Sequence, residues 1–557
     1  MVKILLIQLD RFGDNLFIVP LIKGLKKKYP GCHLTVLVRE ELKDILSGYY
    51  EVDCVEAAAF LNIAVNLQGM DVSDMIIRGY SELKRITEDL RKRGFDRVYN
   101  LNFNKLTTLL TSLLHVTGTI GFTVGHNGDR SIAGHWVNYM GCLVKNRRYN
   151  PFHIVDVYRN FEPGLASEDL SGFNVDHSAI DYADSLLRDA GVTDNTTLIA
   201  LQPGASNRNR VWPAAKFKRL AELLTETGAK IVVLGTAQEA EIATEIASGN
   251  SGVIDLTGKT TFHQLAAVLN RCRLLISNDT GTVHLASAVG TRVIGLYMSH
   301  AYPVETGPYG EGHIAVSPVI DCFPCNWKEA CLNNYMCQGC ITPDDVYSVV
   351  KWVVSPCKTM PELTGNVSVD ISGFDNEGLM TYVPLLRREI TRRDVLRFAY
   401  KRMWSEEINT VSVSYNHTSD IKLLLESYDI NNMSYIKKEI GNIISLFTQL
   451  ELLADKGIQK ADEIVRYIFT NENRDTALIQ SWIEELNVID SMIAESGHGT
   501  GYTGLLTMFY KMQKDNLDVD NPILYLRSAK ELYGLLKSCS AGLIRNHLEL
   551  VSEESYA

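Results

Sequence analysis

Three short segments of this sequence place acidic, hydroxyl and basic residues where a strand should give way to a loop or helix. Leu9-Asp10-Arg11-Phe12-Gly13-Asp14-Asn15 follows the apolar run 2–8, and Ser277-Asn278-Asp279-Thr280-Gly281-Thr282-Val283-His284 follows the run 274–277. The second of these reads as an anion site. Backbone N–H groups at a helix N-terminus, with Gly281 allowing close approach, suit a diphosphate, and the Thr280 and Thr282 hydroxyls can donate to the same oxygens. A plain helix cap by Asp279 or Thr280 is the alternative. The third segment, 202–213, is polar and basic. Arg208 or Arg210 can neutralise a leaving diphosphate there, with Ser206 as a neutral donor; the alternative is a solvated loop with exposed arginines.

The hydrophobic pattern supplies two matching sets of elements to hold these segments. Residues 2–8 have the continuous apolar character of a strand buried on both faces of a parallel sheet. Residues 16–28 follow with helical spacing: Leu16, Val19, Leu21, Ile22 and Leu25 are apolar, and Lys23, Lys26, Lys27 and Lys28 are basic. Pro30-Gly31 stops this helix before a strand at 34–38. Helices at 81–93, 105–115 and 153–161 and strands at 97–101 and 119–122 complete a first α/β lobe, 1–180. A second α/β lobe, 181–355, opens with a strand at 197–202. Strands at 230–234, 253–255, 274–277 and 292–297 then alternate with helices at 214–227, 238–247, 262–270 and 282–289. A further helix, capped by Thr342 and opened by Pro343, closes the lobe. Two such lobes in series set a crevice between the C-terminal ends of two parallel sheets, where nucleotide ligands bind.

Residues 356–380 read as a linker. The remainder, 381–557, reads as an all-helical accessory or oligomerisation domain, with helices at 384–405, 422–428, 434–455, 462–469, 476–494, 503–513 and 522–549. It carries no chemistry motif, and its Asp518-x-Asp520 reads as accidental.

A chain of 557 residues suggests about three domains. A net charge of −11 argues against general nucleic-acid binding. No stretch reaches the roughly 18 apolar residues of a transmembrane helix, and the first apolar run is too short for a signal-peptide core. The expectation is a cytoplasmic protein, with peripheral contact at a membrane face left open. Lys23, Lys26, Lys27 and Lys28 can dock phosphates or such a face, or form a solvated basic face.

Of eleven cysteines, five lie between Cys322 and Cys340. Cys322-x2-Cys325 and Cys337-x2-Cys340, with Cys331 between them, have the spacing of a four-thiolate site for zinc or iron in a structural role. Free thiols and disulfides are the alternatives.

Five pieces resemble glycosyltransferase family 9, the heptosyltransferases of lipopolysaccharide assembly. They are Leu9 to Asp14, Arg210-Val211-Trp212-Pro213, Ser277 to Ala286, Thr306-Gly307-Pro308-Tyr309-Gly310, and Cys322-Phe323-Pro324-Cys325. In order and spacing they span about 1–355. The resemblance implies a GT-B fold, with two Rossmann-like lobes facing a central crevice, here followed by the helical domain. It also implies an inverting transfer from a nucleotide sugar, ADP-heptose in well-known members, with no catalytic metal. Asp14 matches the general base, with an N-cap role as its alternative. Arg210 matches a basic residue that neutralises the diphosphate, and Ser206 a recurrent hydroxyl. Asp279, Thr280, Gly281, Thr282 and His284 match the donor motif, His284 either approaching the diphosphate or simply packing. Glu239 or Glu241 matches a carboxylate that holds the ribose, or is a solvated helix residue. Arg11 and Lys23 are the expected acceptor contacts. Asn100 departs from the aspartate that many members carry, which puts the family's acceptor in question.

The expected partners are a nucleotide-sugar donor and an anionic lipid-linked saccharide, with a possible homo-oligomer through the helical domain. A protein acceptor is the second reading, suggested by relatives that resemble this cysteine arrangement in holding iron. A sugar-nucleotide-binding scaffold without turnover and a sugar-nucleotide epimerase are the readings from other classes.

Overall fold

The computed structural model describes residues 1–58, 72–125, 128, 130–326, 330–355, 359–408, 426–429, 433–471, 473, 475–497, 501–517 and 521–551. It divides into two compact units, one of 1–124 with 153–386 and the other of 125–152 with 387–557.

The first unit contains both α/β lobes. In the first lobe, Lys3–Ile7 lies between His33–Arg39 and Arg97–Asn100, with Cys54–Ala58 and Gly118–Val124 outside them, and every pairing is parallel. Strand order therefore reverses between Lys3–Ile7 and Arg97–Asn100. In the second lobe Leu198–Gln202 lies between Lys230–Val233 and Leu274–Asn278. Val253–Asp255 follows on one side, and Val293–Leu296 and Ile314–Pro318 on the other. Here the order reverses between Leu198–Gln202 and Leu274–Asn278. The loops leaving these four strands sit at the two switch points, where parallel α/β sheets bind ligands.

The strand cores are Leu5, Ile7 and Val98 in one lobe and Ile199, Leu201, Ile231, Ile276 and Ile294 in the other, all buried. Continuous apolar runs form these strands because helices cover both faces of a parallel sheet.

Residues 356–380 differ from the expected linker. Val367–Phe374 pairs antiparallel with Ile314–Pro318, and Met380–Pro384 pairs antiparallel with Val367–Phe374, so the second sheet gains two strands. The alternating burial of Met380–Pro384, one face in and one out, is too short a pattern to stand out in the sequence.

The second unit begins earlier than expected. His135–Asn146 belongs to it, packed with later helices: Asn138 Nδ2 donates to Phe509 O at 3.0 Å, and the Tyr139 and Trp404 rings lie 5.5 Å apart. The expected helix 384–405 runs Arg392–Glu407 instead, opened by Thr391, whose hydroxyl accepts from Asp394 N. The expected helices 434–455 and 462–469 are one, Met433–Thr470. Helices Thr476–Ser496, Gly504–Lys514 and Pro522–Val551 follow, and the unit is not all-helical as expected, because Arg388–Glu389 pairs parallel with Tyr428–Asp429. Lys530 bonds Asp462 at 2.7 Å and Lys537 bonds Asp455 at 2.8 Å, a pair of contacts one heptad apart that sets Pro522–Val551 antiparallel to Met433–Thr470. Most of the expected helix 422–428, and Asp518 and Asp520, lie outside the described residues. Among the described residues no helix is long and apolar enough to cross a membrane.

Candidate active site

The loop after Lys3–Ile7 is held from beneath by buried amides. Asn102 Nδ2 donates to Gln8 Oε1 at 2.6 Å and to Asp10 Oδ2 at 2.5 Å, while Leu9 N donates to Asn102 Oδ1 at 2.8 Å. Gln8 and Asn102 are both fully buried. Asn100, flagged above as a departure, is also fully buried; its amide donates to Phe122 O at 2.7 Å and its Oδ1 accepts from Asn102 N at 3.2 Å. It shapes the loop and does not face the crevice.

Asp14 lies in the short helix Phe12–Phe17. Its Oδ2 accepts from Arg11 N at 3.0 Å, so the capping role is real, but it occupies only one carboxylate oxygen. Burial first, and the neighbouring Asp10 charge second, push the Asp14 carboxyl up to about 6. A carboxyl near 6 is ionised at neutral pH yet basic enough to take a proton.

Across the crevice, Asn278 fixes the second lobe's loops. Its Oδ1 accepts from Trp212 N at 3.0 Å and its Nδ2 donates to Pro203 O at 2.6 Å, which ties the 203–212 loop to the end of Leu274–Asn278. Arg210 is largely buried: one guanidinium nitrogen pairs with Asp279 and another donates to Ser206 Oγ. Arg11 Nη1 from the first lobe donates to the same Ser206 Oγ at 3.3 Å. Ser206 thus joins cations of both lobes. Asp279 orients Arg210 and is not free for a ligand in this arrangement. Arg208 is exposed and its guanidinium has no partner among the described residues, so it is the available cation of the pair.

Helix Gly281–Ala288 begins without a side-chain cap, Thr280 supplying none, and the plain-cap alternative is not realised. Its first N–H groups keep the anion-binding character of an uncapped helix start. Two expectations change here. The Thr282 hydroxyl is buried and faces Gln202 Oε1 at 3.4 Å, so it is spent internally. The close approach that Gly281 permits is used by the Phe12 ring, which would lie 2.2 Å from a Cβ at that position.

His284 packs and does not reach out. It is buried beneath the Phe17 ring at 4.3 Å, its Nδ1 has no hydrogen-bond partner among the described residues, and burial pushes it down to about 3, so it is neutral. Gly13 is required beside it, because a Cβ there would meet His284 at 2.9 Å.

Glu239 accepts from Thr236 N at 2.7 Å and lies where a Gly204 Cβ would be, which places its carboxylate against the loop that carries Ser206 and Arg210. Glu241 is exposed on helix Ala240–Ala247.

Lys23 moves away from the acceptor role. Its ammonium bonds Asp169 Oδ1 and O, each at 3.1 Å, and Ser171 O at 2.7 Å, which uses all three donors. Lys26, Lys27 and Lys28 likewise pair with Asp53, Glu168 and Glu162. The basic helix face is knitted to its own lobe.

The cysteine thiols are neighbours: Cys322, Cys331 and Cys337 stand close enough to Cys325 to help burial push its thiol up. Among the described residues no three His, Cys, Asp or Glu side chains are arranged to hold a metal ion. Cys322, Cys325, Cys331, Cys337 and Cys340 are present as free thiols, with Cys337 in the second lobe's core and Cys331 Sγ accepting from Tyr335 N at 3.2 Å.

Sequence reasoning missed Asn102, Gln8 and Asn278 as the groups that position the loops. Polar residues closing otherwise apolar strands were the available signal.

The glycosyltransferase family 9 (heptosyltransferase) model matches residues 83–336. The chain is 25% identical over 295 residues to lipopolysaccharide heptosyltransferase 3 of Escherichia coli K12, covering 51% of this chain and 79% of that one. It is 22% identical over 311 residues to lipopolysaccharide core heptosyltransferase OpsX of Haemophilus influenzae, covering 55% and 81%. The solved structure of E. coli ADP-heptose lps heptosyltransferase II aligns with a TM-score of 0.47 at 19% identity, over 63% of this chain and 98% of that one. Residues 83–336, just under half of the chain, are thus similar to glycosyltransferase family 9, and the chain is a glycosyltransferase.

Proposed function

We propose that this enzyme transfers heptose, with inversion, from ADP-heptose to a hydroxyl of a lipopolysaccharide-core-type acceptor. The observation that carries this reading is the pairing of switch points. A basic carboxylate at Asp14 with one unspent oxygen stands on the first lobe, and the Arg210–Asp279 pair with the uncapped start of Gly281–Ala288 stands on the second.

Asp14 accepts the proton of the acceptor hydroxyl as its oxygen bonds to the anomeric carbon, and the bond from that carbon to the diphosphate oxygen breaks, releasing ADP. Arg208, Arg210, the Thr280 hydroxyl and the first helical N–H groups take up the charge that develops on the leaving diphosphate. Asp279 and Ser206 hold Arg210 in place. Glu239 accepts from the ribose hydroxyls. Arg11, bound to Ser206, stands where an anionic acceptor enters. The names of the relatives support heptose and the lipopolysaccharide core.

The test is acceptor-dependent ADP release. Asp14→Asn should abolish release and retain ADP-heptose binding, whereas unchanged turnover in that variant would remove Asp14 from the role of base.

A further inference from the structure

Between helices Met433–Thr470 and Thr476–Ser496 of the second unit lies an open cleft of about 480 Å³ that the transfer reaction does not use. Its walls combine two aromatic rings with planar polar side chains. The Tyr467 and Trp482 rings meet edge to face, 5.2 Å apart at 85°, and form an apolar corner. Gln459, Asp462, Arg466 and Asn471 line the remainder.

Several of these groups have bonding capacity left over. The Gln459 amide, the Arg466 guanidinium and the Trp482 indole N–H have no partner among the described residues. The two carboxylates are already compensated, Asp462 by Lys530 at 2.7 Å and Glu463 by Lys460 at 2.8 Å, and Lys460 also meets Glu485 at 2.9 Å. With Arg466 counted, three cations (Lys460, Lys530 and Arg466) stand against three carboxylates (Asp462, Glu463 and Glu485), so the cleft and its immediate neighbours carry no net charge. What remains is an aromatic corner beside in-plane donors and acceptors. That combination suits an uncharged polyhydroxylated ring, whose C–H face packs on an aromatic surface while its hydroxyls bond amides, guanidinium and carboxylates.

We infer that this cleft is a saccharide-binding subsite of the helical unit, taking an uncharged sugar residue against Trp482 and Tyr467 independently of the catalytic crevice. As an acceptor-capturing site it rests on the proposed transfer to a saccharide, but its occupancy can be read without turnover.

The full-length protein is titrated, by calorimetry and ligand-observed NMR, with core oligosaccharide released from lipopolysaccharide and then enzymatically dephosphorylated. The same titration is made with the phosphorylated form and with inorganic phosphate. Trp482→Ala should weaken one class of binding at least tenfold, Arg466→Ala should weaken the same class, and Trp482→Phe should largely restore it. ADP release at saturating acceptor should be unchanged in all three. Matching circular dichroism spectra and melting temperatures show that the variants are folded. Unaltered oligosaccharide binding in Trp482→Ala and Arg466→Ala, or binding that inorganic phosphate displaces, would overturn the inference. Loss of ADP release from the wild-type chain with sugar binding intact would count against the proposed transfer and leave the subsite standing.

Discussion

A carboxyl pushed up to about 6 makes separate demands on activity and on stability. Asp14 must be ionised to accept a proton, so kcat/KM should fall as pH drops through about 6. Asp10 contributes to that value by its like charge, and Asn102 holds Asp10 in place. Asp10→Asn preserves an oxygen for Asn102 and removes the charge, so the acidic limb of the pH–rate profile should move to lower pH. A limb that stays in place would separate Asp10 from the chemistry. For stability the direction is opposite to that of a salt-bridged aspartate. The folded value lies above the unfolded one, so ionising Asp14 costs stability fully above about pH 6, and the cost disappears as pH falls toward 4. Asp14→Asn should therefore stabilise the fold by on the order of 1–3 kcal/mol at pH 8 and by almost nothing at pH 4, as denaturant titrations at the two pH values would read. An inactive variant that melts higher is the signature of a residue kept for function.

Elements in this chain depend on glycines at places where another element comes in close. An alanine Cβ at 204 would coincide with the Glu239 carboxylate. Gly204→Ala should displace Glu239 and raise the KM for donor several-fold while the protein stays folded, a split that steady-state kinetics would show. Gly457 tells the complementary story. It lies between the two helices expected at 434–455 and 462–469, yet one helix runs through it, and Tyr533 packs where a Cβ would be, with ring atoms 2.5 Å from that position. Gly457→Ala gains helix propensity of about 1 kcal/mol and should still lower the melting temperature, because the overlap with the ring costs more. The pattern of apolar runs thus revealed the central strands of both lobes and the three loops of the site, since local periodicity and strand-to-helix transitions carry that information, but not the outer strands Cys54–Ala58, Ile314–Pro318, Val367–Phe374 and Met380–Pro384. Side-chain pairing is set by tertiary neighbours. For that reason Lys23 read as an acceptor contact though Asp169 and Ser171 claim it, and the sequence left His284 between ligand contact and packing, where Phe17 covers it.

At the scale of the whole molecule, residues 125–152 leave the α/β unit, and the chain then returns to it until about residue 386. Helix His135–Asn146 is an internal part of the second unit, with Trp136, Val137, Tyr139 and Cys142 buried there. A chain ended at 386 should therefore expose an apolar helix, bind a hydrophobic dye and self-associate. Replacing 125–152 by a glycine–serine linker in that shortened chain should reverse both effects, which size-exclusion chromatography and dye fluorescence would reveal.

The same threading sets an order of events during synthesis. Helix His135–Asn146 leaves the ribosome roughly 360 residues before Gly504–Lys514, the helix it packs against. At 5–20 residues per second that interval is about 20–70 s. Both α/β lobes have time to fold within it, while one apolar helix waits for its partners and stays open to chaperones and to neighbouring nascent chains.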